Sequence, residues 1–138
     1  MKNTISRRKF IQVNSIAGVS LAASPVPFFT NGMPSKKITV AVMGIRGRGN
    51  ALAKVFANQP DCEVAYLCEV DERYYEKTLK ELAPFQKKKP KLEKDIRKVL
   101  EDKSLDAIVI AAPDHWHAPA AILACQAGKH VYVEKPCR

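Results

Sequence analysis

Beyond residue 37 the chain alternates between two hydrophobic rhythms. KITVAVMG is a short β-branched run closed by Gly44, which predicts a strand. RGNALAKVFANQ then places Ala51, Leu52, Val55 and Phe56 at helical spacing. CEVAYLCEV (62–70) reads as a second strand, and DERYYEKTLKELAPF as a helix with Asp71 at its N-cap and Pro84 near its end. PKLEKD has room for a short third strand, and DIRKVLEDK for a short helix. LDAIVIAA (105–112) is nearly all apolar, as expected of a strand covered on both faces. HAPAAILACQAGK is a helix stopped by Gly128, and HVYV (130–133) is a last strand with a buried look. Strands alternating with helices imply a parallel sheet with right-handed crossovers, a doubly wound α/β fold. Ligands then bind beyond the carboxyl ends of the strands.

Before residue 37 that rhythm is absent. MKNTISRRKFIQVNSIAGVSLAASP has a basic start, a mildly apolar run (11–23) too short to span a bilayer, and then small residues. This is the layout of an export signal, to be kept apart from the fold. Ser6-Arg7-Arg8-Lys9-Phe10-Ile11 resembles the twin-arginine signal, in which paired arginines precede Phe and an apolar residue. The alternative is an amphipathic helix with a chance arginine pair. Pro25 follows the small residues and hinders cleavage there, so the peptide is either cut elsewhere or retained as an anchor. SPVPFFTNGMPSKK carries three prolines and no period, and reads as a linker. The expected organisation is signal and linker over 1–35 and one domain over 36–138, exported through the twin-arginine machinery to the periplasm or beyond.

Composition changes this picture little. Of 138 residues, 46% are hydrophobic and 27% charged, ordinary for one globular domain. The net charge of +9 raises nucleic acid as a partner, but residues 1–37 hold +6 of it, as Lys2, Arg7, Arg8, Lys9, Lys36 and Lys37 without an acid. Part of the remaining basic charge lies in one run, KKKPKLEKDIRK, with no aromatics interleaved for base stacking. A nucleic-acid partner is therefore not expected. None of the four cysteines forms a Cys-x-x-Cys pair. Cys62 and Cys68 share a strand, roughly 20 Å apart at ~3.3 Å per residue, too far for a disulfide. Cys68 and Cys125 are expected to be small core residues.

The candidate chemistry begins at the turn after the first strand. In VMGIRGRGN, Gly44, Gly47 and Gly49 form Gly-x-x-Gly-x-Gly. Against the Rossmann fingerprint Gly-x-Gly-x-x-Gly, Gly44 and Gly49 stand at the first and third glycines, and Arg46 replaces the second. Gly47 can relax the turn instead. The following helix still offers free N–H groups and the positive end of its dipole to a diphosphate, with Arg46 and Arg48 adding charge. Glu69 lies 25 residues after Gly44, at the end of the second strand, where a carboxylate accepts ribose hydroxyls and repels a 2′-phosphate. NAD is thus favoured over NADP. The alternative is a tight turn with no ligand.

With DHWHAP and AGKHVYVEKP in the same register, the chain resembles the glucose–fructose oxidoreductase / inositol dehydrogenase family (Gfo/Idh/MocA) from Lys37 to its end. The resemblance implies a Rossmann domain followed by a larger α/β domain with an open, mostly antiparallel sheet. That second domain carries much of the substrate site, the oligomer contacts and further acid/base residues, an Asp and a His without counterparts here. Homo-oligomers are expected only of such a longer form, and the chain is expected to be cut where the second domain begins. The resemblance assigns Gly44, Ile45, Arg46, Gly47, Arg48 and Gly49 to the diphosphate turn and Glu69 to the ribose. It places Ala112, Pro113, Asp114 and His117 in a loop beneath the cofactor. Glu134, Lys135 and Pro136 become the Glu-Lys-Pro motif, in which Lys135 approaches nicotinamide and substrate and the bond before Pro136 can be cis.

The implied activity is NAD-dependent oxidation of a sugar or cyclitol hydroxyl, or the same oxidation used transiently by a glycosidase. Removing hydride from a secondary alcohol leaves a proton to place, a task Lys135 could share. Read without the family, Lys135 can be a surface lysine. His115 and His117 can be a weak metal pair or polar residues at a helix start. Trp116 can wall a cofactor cleft or be a half-buried anchor. A bare nucleotide-binding module without catalysis is the non-enzymatic alternative.

Overall fold

The computed structural model describes residues 37–136. The twin-arginine stretch, the linker and Cys137 lie outside the described residues. Strands β1 (Ile38–Met43), β2 (Cys62–Cys68), β3 (Lys91–Glu93), β4 (Ala107–Ile110) and β5 (His130–Val133) form one sheet in the order β3-β2-β1-β4-β5. Every pairing in it is parallel. Between them run α1 (Gly47–Ala57), α2 (Tyr75–Leu82), α3 (Ile96–Leu100) and α4 (His117–Gln126). The order reverses between β1 and β4, so a switch point opens at their carboxyl ends.

Alternation along β1 divides the core. Val40 and Val42 pack with Leu52, Ala53 and Ala57 of α1 and Tyr75 and Leu82 of α2. Ala41 faces the other side, with Ile96 and Val99 of α3 and Ala120 and Ala124 of α4. On β2 the alternation breaks. Val40 pairs with Val64, but Ala41 pairs with Tyr66, so Ala65 is an extra residue in the ladder. Leu67 thereby joins Cys62 and Val64 on the first face, and Tyr66 and Cys68 turn to the second. Without the bulge Leu67 would change faces, at a cost of about 2 kcal/mol for that side chain alone. The same parity fixes where Glu69 projects.

Local signals end the elements. Asp71 Oδ1 accepts the Arg73 N–H at 3.2 Å, as an N-cap should, but the turn it caps is a single 3-10 turn, Glu72–Tyr74, before α2 begins. At the end of α4, Gly128 adopts φ +70. The Lys129 N–H then reaches the Ala124 carbonyl (2.9 Å) and the Gly128 N–H that of Cys125 (3.0 Å), the paired bonds of a Schellman motif. The Lys129 ammonium donates to the Asp102 and Leu105 carbonyls, tying this helix end to the loop before β4.

Four expectations are corrected. Val55 is 55% exposed, and α1 buries Leu52, Ala53 and Ala57 instead, because the sheet lies one residue further round the helix. Cys125 is exposed on α4, while Cys62 and Cys68 are buried; burial pushes the Cys68 thiol up to about 12. Among the described residues β5 lies at the edge of the sheet, with His130 and Tyr132 exposed. β4 keeps only Ala107–Ile110 of the apolar run, because Ala112 leaves the strand to pass against Gly44.

That crossing makes two glycines unequal to the third. Gly44 has φ +79, and a Cβ there would lie 2.7 Å from the Ala112 backbone. A Cβ on Gly49 would lie 1.6 Å from the Gly44 carbonyl oxygen, whereas one on Gly47 meets nothing within 4 Å. Thermal denaturation should therefore separate two conservative variants. Gly49→Ala should lose about 3 kcal/mol or fail to fold. Gly47→Ala should hold or gain up to about 1 kcal/mol from helix propensity. Equal melting of the two would contradict the crossing.

Candidate functional site

The turn Gly44–Arg46 carries β1 into α1 at the switch point. The first intrahelical bond runs from the Asn50 N–H to the Arg46 carbonyl (3.1 Å), so the N–H groups of Gly47, Arg48 and Gly49 have no partner within the helix. They form the positive end of α1, beside the Gly44–Ala112 crossing. A cleft opens on each side of that crossing. One, about 820 Å³, is lined by Gly44, Arg46, Glu69, Pro113, His115 and Trp116 among others. The other, about 550 Å³, is lined by Arg48, Ala112, Asp114, His117, Glu134 and Lys135.

Glu69 lies at the floor of the first cleft and is 8% exposed. Its carboxylate accepts the Ile45 N–H at 3.3 Å and the Asp71 N–H at 3.1 Å. It thus braces the glycine turn against the end of β2. The N–H of Ile45 is accordingly turned to Glu69 and not outward to a phosphate. Two amides leave acceptor capacity on the two oxygens. The Tyr75 hydroxyl lies 2.5 Å from the Glu69 carbonyl oxygen and 2.9 Å from that of Glu93. Burial raises the Tyr75 phenol, which keeps it a donor.

The two arginines expected to add charge at the turn are both held. Arg46 Nη2 is 3.0 Å from Asp71 Oδ2, and its guanidinium lies 4.6 Å over the Tyr74 ring. Asp71 also binds Arg73, and the Arg73 hydrogen bonds hold its carboxyl down to about 2. Two guanidinium groups therefore share one carboxylate at the rim of the first cleft. Arg48 Nε is 2.9 Å from Glu134 Oε1, which also accepts from the Tyr132 hydroxyl at 3.1 Å.

His117 is 3% exposed. Its Nδ1 lies 2.8 Å from the Pro136 carbonyl oxygen and its Nε2 2.8 Å from that of Ala112. The ring braces the loop after β4 against the Glu-Lys-Pro segment, with neither nitrogen turned to the cleft. Lys135 follows at the exposed mouth of the second cleft, and its bond to Pro136 is cis. His115 and Trp116 are exposed at the rim of the first cleft, which gives Trp116 the position of a wall.

The structure thus brings Gly44, Arg46, Glu69 and Pro113 to one cleft and Arg48, His117, Glu134 and Lys135 to the other, with Ala112 shared. Sequence reasoning missed Asp71 and Tyr74 as holders of Arg46, and Tyr132 as a holder of Glu134. Tyr132 was legible, because residues two apart on a strand share a face. The space fits a dinucleotide: two chambers for two nucleosides, joined over a helix N-terminus for the diphosphate. Gly47, whose missing side chain no protein atom replaces, leaves that passage open.

Comparison with known proteins agrees with this geometry. The family model described as "Oxidoreductase family, NAD-binding Rossmann fold" (Gfo/Idh/MocA) matches residues 38–138. A curated relative from Stenotrophomonas maltophilia, a "Glycosyl hydrolase family 109 protein", is 31% identical over 94% of this chain and 29% of its own length. An NAD-binding protein from Listeria innocua superposes with a TM-score of 0.63 at 28% identity, over 74% of this chain and 27% of that one. Scyllo-inositol dehydrogenase from Lactobacillus casei, solved with NAD(H) and scyllo-inositol, gives 0.64 at 26% identity, over 74% and 29%. The chain therefore spans less than a third of each of these proteins. It belongs to the Gfo/Idh/MocA oxidoreductase family, of which residues 38–138 are the NAD-binding Rossmann domain.

Proposed function

We propose that this chain is the cofactor-binding part of an NAD-dependent oxidoreductase that acts on a secondary hydroxyl of a sugar or cyclitol. One observation carries the reading: Lys135 stands at the mouth of the cleft on the far side of the glycine turn from Glu69. Bound NAD supplies the hydride acceptor. The α1 N-terminus would hold its diphosphate, and Glu69 would take the adenosine ribose. Lys135, on the nicotinamide side, would hold or pass the hydroxyl proton of the substrate, since hydride loss from the carbon leaves that proton to be placed. Inositol in the Lactobacillus dehydrogenase structure supports a polyol substrate.

A second reading is favoured by the Stenotrophomonas relative, whose name is that of a glycosyl hydrolase. There the same oxidation would be transient, with NAD regenerated before the sugar leaves. The protein as its source cell makes it, given sugars, cyclitols and aryl glycosides, separates the two. Net NADH formation supports the oxidoreductase. Aglycone release without net NADH supports the glycosidase. In either case Lys135→Met should lower kcat about 100-fold or more with NAD affinity changed little. Unchanged kcat would remove Lys135 from the chemistry.

Glu69 gives a prediction that needs no turnover. Glu69→Gln puts an amide NH2 where an oxygen accepts, and removes the charge that repels a 2′-phosphate. Calorimetry should show NAD binding weakened about tenfold and its preference over NADP reduced. An unaltered ratio would place the adenosine ribose elsewhere.

We also propose export by the twin-arginine route, supported by Ser6–Ile11. Replacing Arg7 and Arg8 together with Lys should leave the protein in the cytoplasmic fraction. Export of that variant at the normal level would refute the route.

A further inference from the structure

The Arg48–Glu134 pair joins two regions that the chain separates by 86 residues. Arg48 is the second residue of α1, beside the helix N–H groups that would receive a diphosphate. Glu134 directly precedes Lys135. Its backbone is fixed, because its N–H continues the β4 ladder onto the Ile110 carbonyl at 2.9 Å. Its side chain is only 14% exposed and sits under Arg48, which is 63% exposed. A largely covered carboxylate on a fixed backbone is the rigid partner, and the long arginine is the one being held. The Tyr132 hydroxyl, 3.1 Å from the same Oε1, stiffens the carboxylate further. The Glu134 carboxyl is held below the usual carboxylate range, first by the Arg48 hydrogen bond, so the pair is ionised at neutral pH.

The way the guanidinium is held matters. Glu134 takes the Nε donor. A guanidinium has five N–H donors in a planar fork, so the carboxylate at Nε leaves the Nη groups on one rigid plane, with the Tyr132 hydroxyl also beside the guanidinium. An arginine fastened at Nε presents its Nη groups in a fixed direction and loses less side-chain freedom when an anion arrives. From these contacts we infer that Glu134 is a positioning residue for the cofactor's diphosphate: it holds Arg48 by Nε so that the Nη groups serve the phosphates at the start of α1. The inference rests on the cofactor reading above. It also gives the Glu-Lys-Pro segment a part at the diphosphate, apart from any role of Lys135 in chemistry.

The sign of one mutational effect tests it. Removing a carboxylate beside a diphosphate should, by Coulomb's law alone, tighten binding. Positioning predicts the opposite. Calorimetry on the 138-residue chain would use three probes: NAD, ADP and adenosine. ADP carries the diphosphate without the nicotinamide ribose, and adenosine lacks both.

The expected result is that Glu134→Ala weakens NAD and ADP about fivefold and leaves adenosine unchanged, while Arg48→Ala weakens NAD and ADP about tenfold. The double variant should bind no worse than Arg48→Ala, because Glu134 acts only through Arg48. Tyr132→Phe, which keeps the charge and removes one restraint, should give a smaller loss, about twofold, and serves if Glu134→Ala melts early. Tighter or unchanged ADP binding by Glu134→Ala overturns the inference, as does a further loss in the Arg48→Ala background. Binding of NAD by the unaltered chain with no Arg48–Glu134 coupling would end this inference alone. No binding of NAD or ADP at all would end the cofactor reading as well.

Discussion

The approach of two backbones at the switch point is the constraint on which the rest of this structure depends. Gly44, at φ +79, lies so close to Ala112 that no side chain fits between them, and Gly49 sits on the Gly44 carbonyl in the same way. Two glycines against the Ala111–Ala112 backbone let the first turn of α1 lie close enough to cap the sheet. The start of the helix, with its unpaired N–H groups, is thereby fixed in the gap between β1 and β4. The same contact divides the carboxyl end of the sheet into two clefts. A Cβ at either glycine would collide with backbone there.

Electrostatics around the glycine turn follow a second constraint: the arginines there are held by carboxylates. Arg46 and Arg73 divide Asp71, and Arg48 is taken at Nε by Glu134. With their arginines facing solvent, such pairs add little to stability. What they provide is direction, because a guanidinium held at one edge points its other edge. Glu69 works similarly from below. With two backbone amides on its carboxylate, it ties the turn to β2 and still faces the first cleft. Its place depends on Ala65, since the bulge in β2 sets the parity of every later residue on that strand.

Much of the fold was legible because parallel α/β units repeat their periods locally. Val40 to Val42, the run before Gly128, and Asp71 and Gly128 as punctuation all act over a few residues. What failed locally was whatever a neighbour decides. Val55 sits at a helical apolar spacing but faces solvent, because the sheet meets α1 at Leu52 and Ala53. Cys125 lies in an apolar helix whose buried side is Ala120 and Ala124. His130–Val133 is apolar enough for a centre, yet it forms the edge of the described sheet.

The same division runs through the site. By itself the sequence determined a glycine turn between a strand and a helix, an acid 25 residues later, and a Glu-Lys-Pro segment after the last strand. Those are short-range patterns, set by which residues tolerate a positive φ, open a helix or follow a strand. Only the tertiary structure decided that Arg48 meets Glu134, that Arg46 leans on Tyr74, and that His117 spans two carbonyls beneath the loop. Side-chain partners many residues apart depend on strand order and parity, and a one-residue bulge is enough to change both the face and the partner.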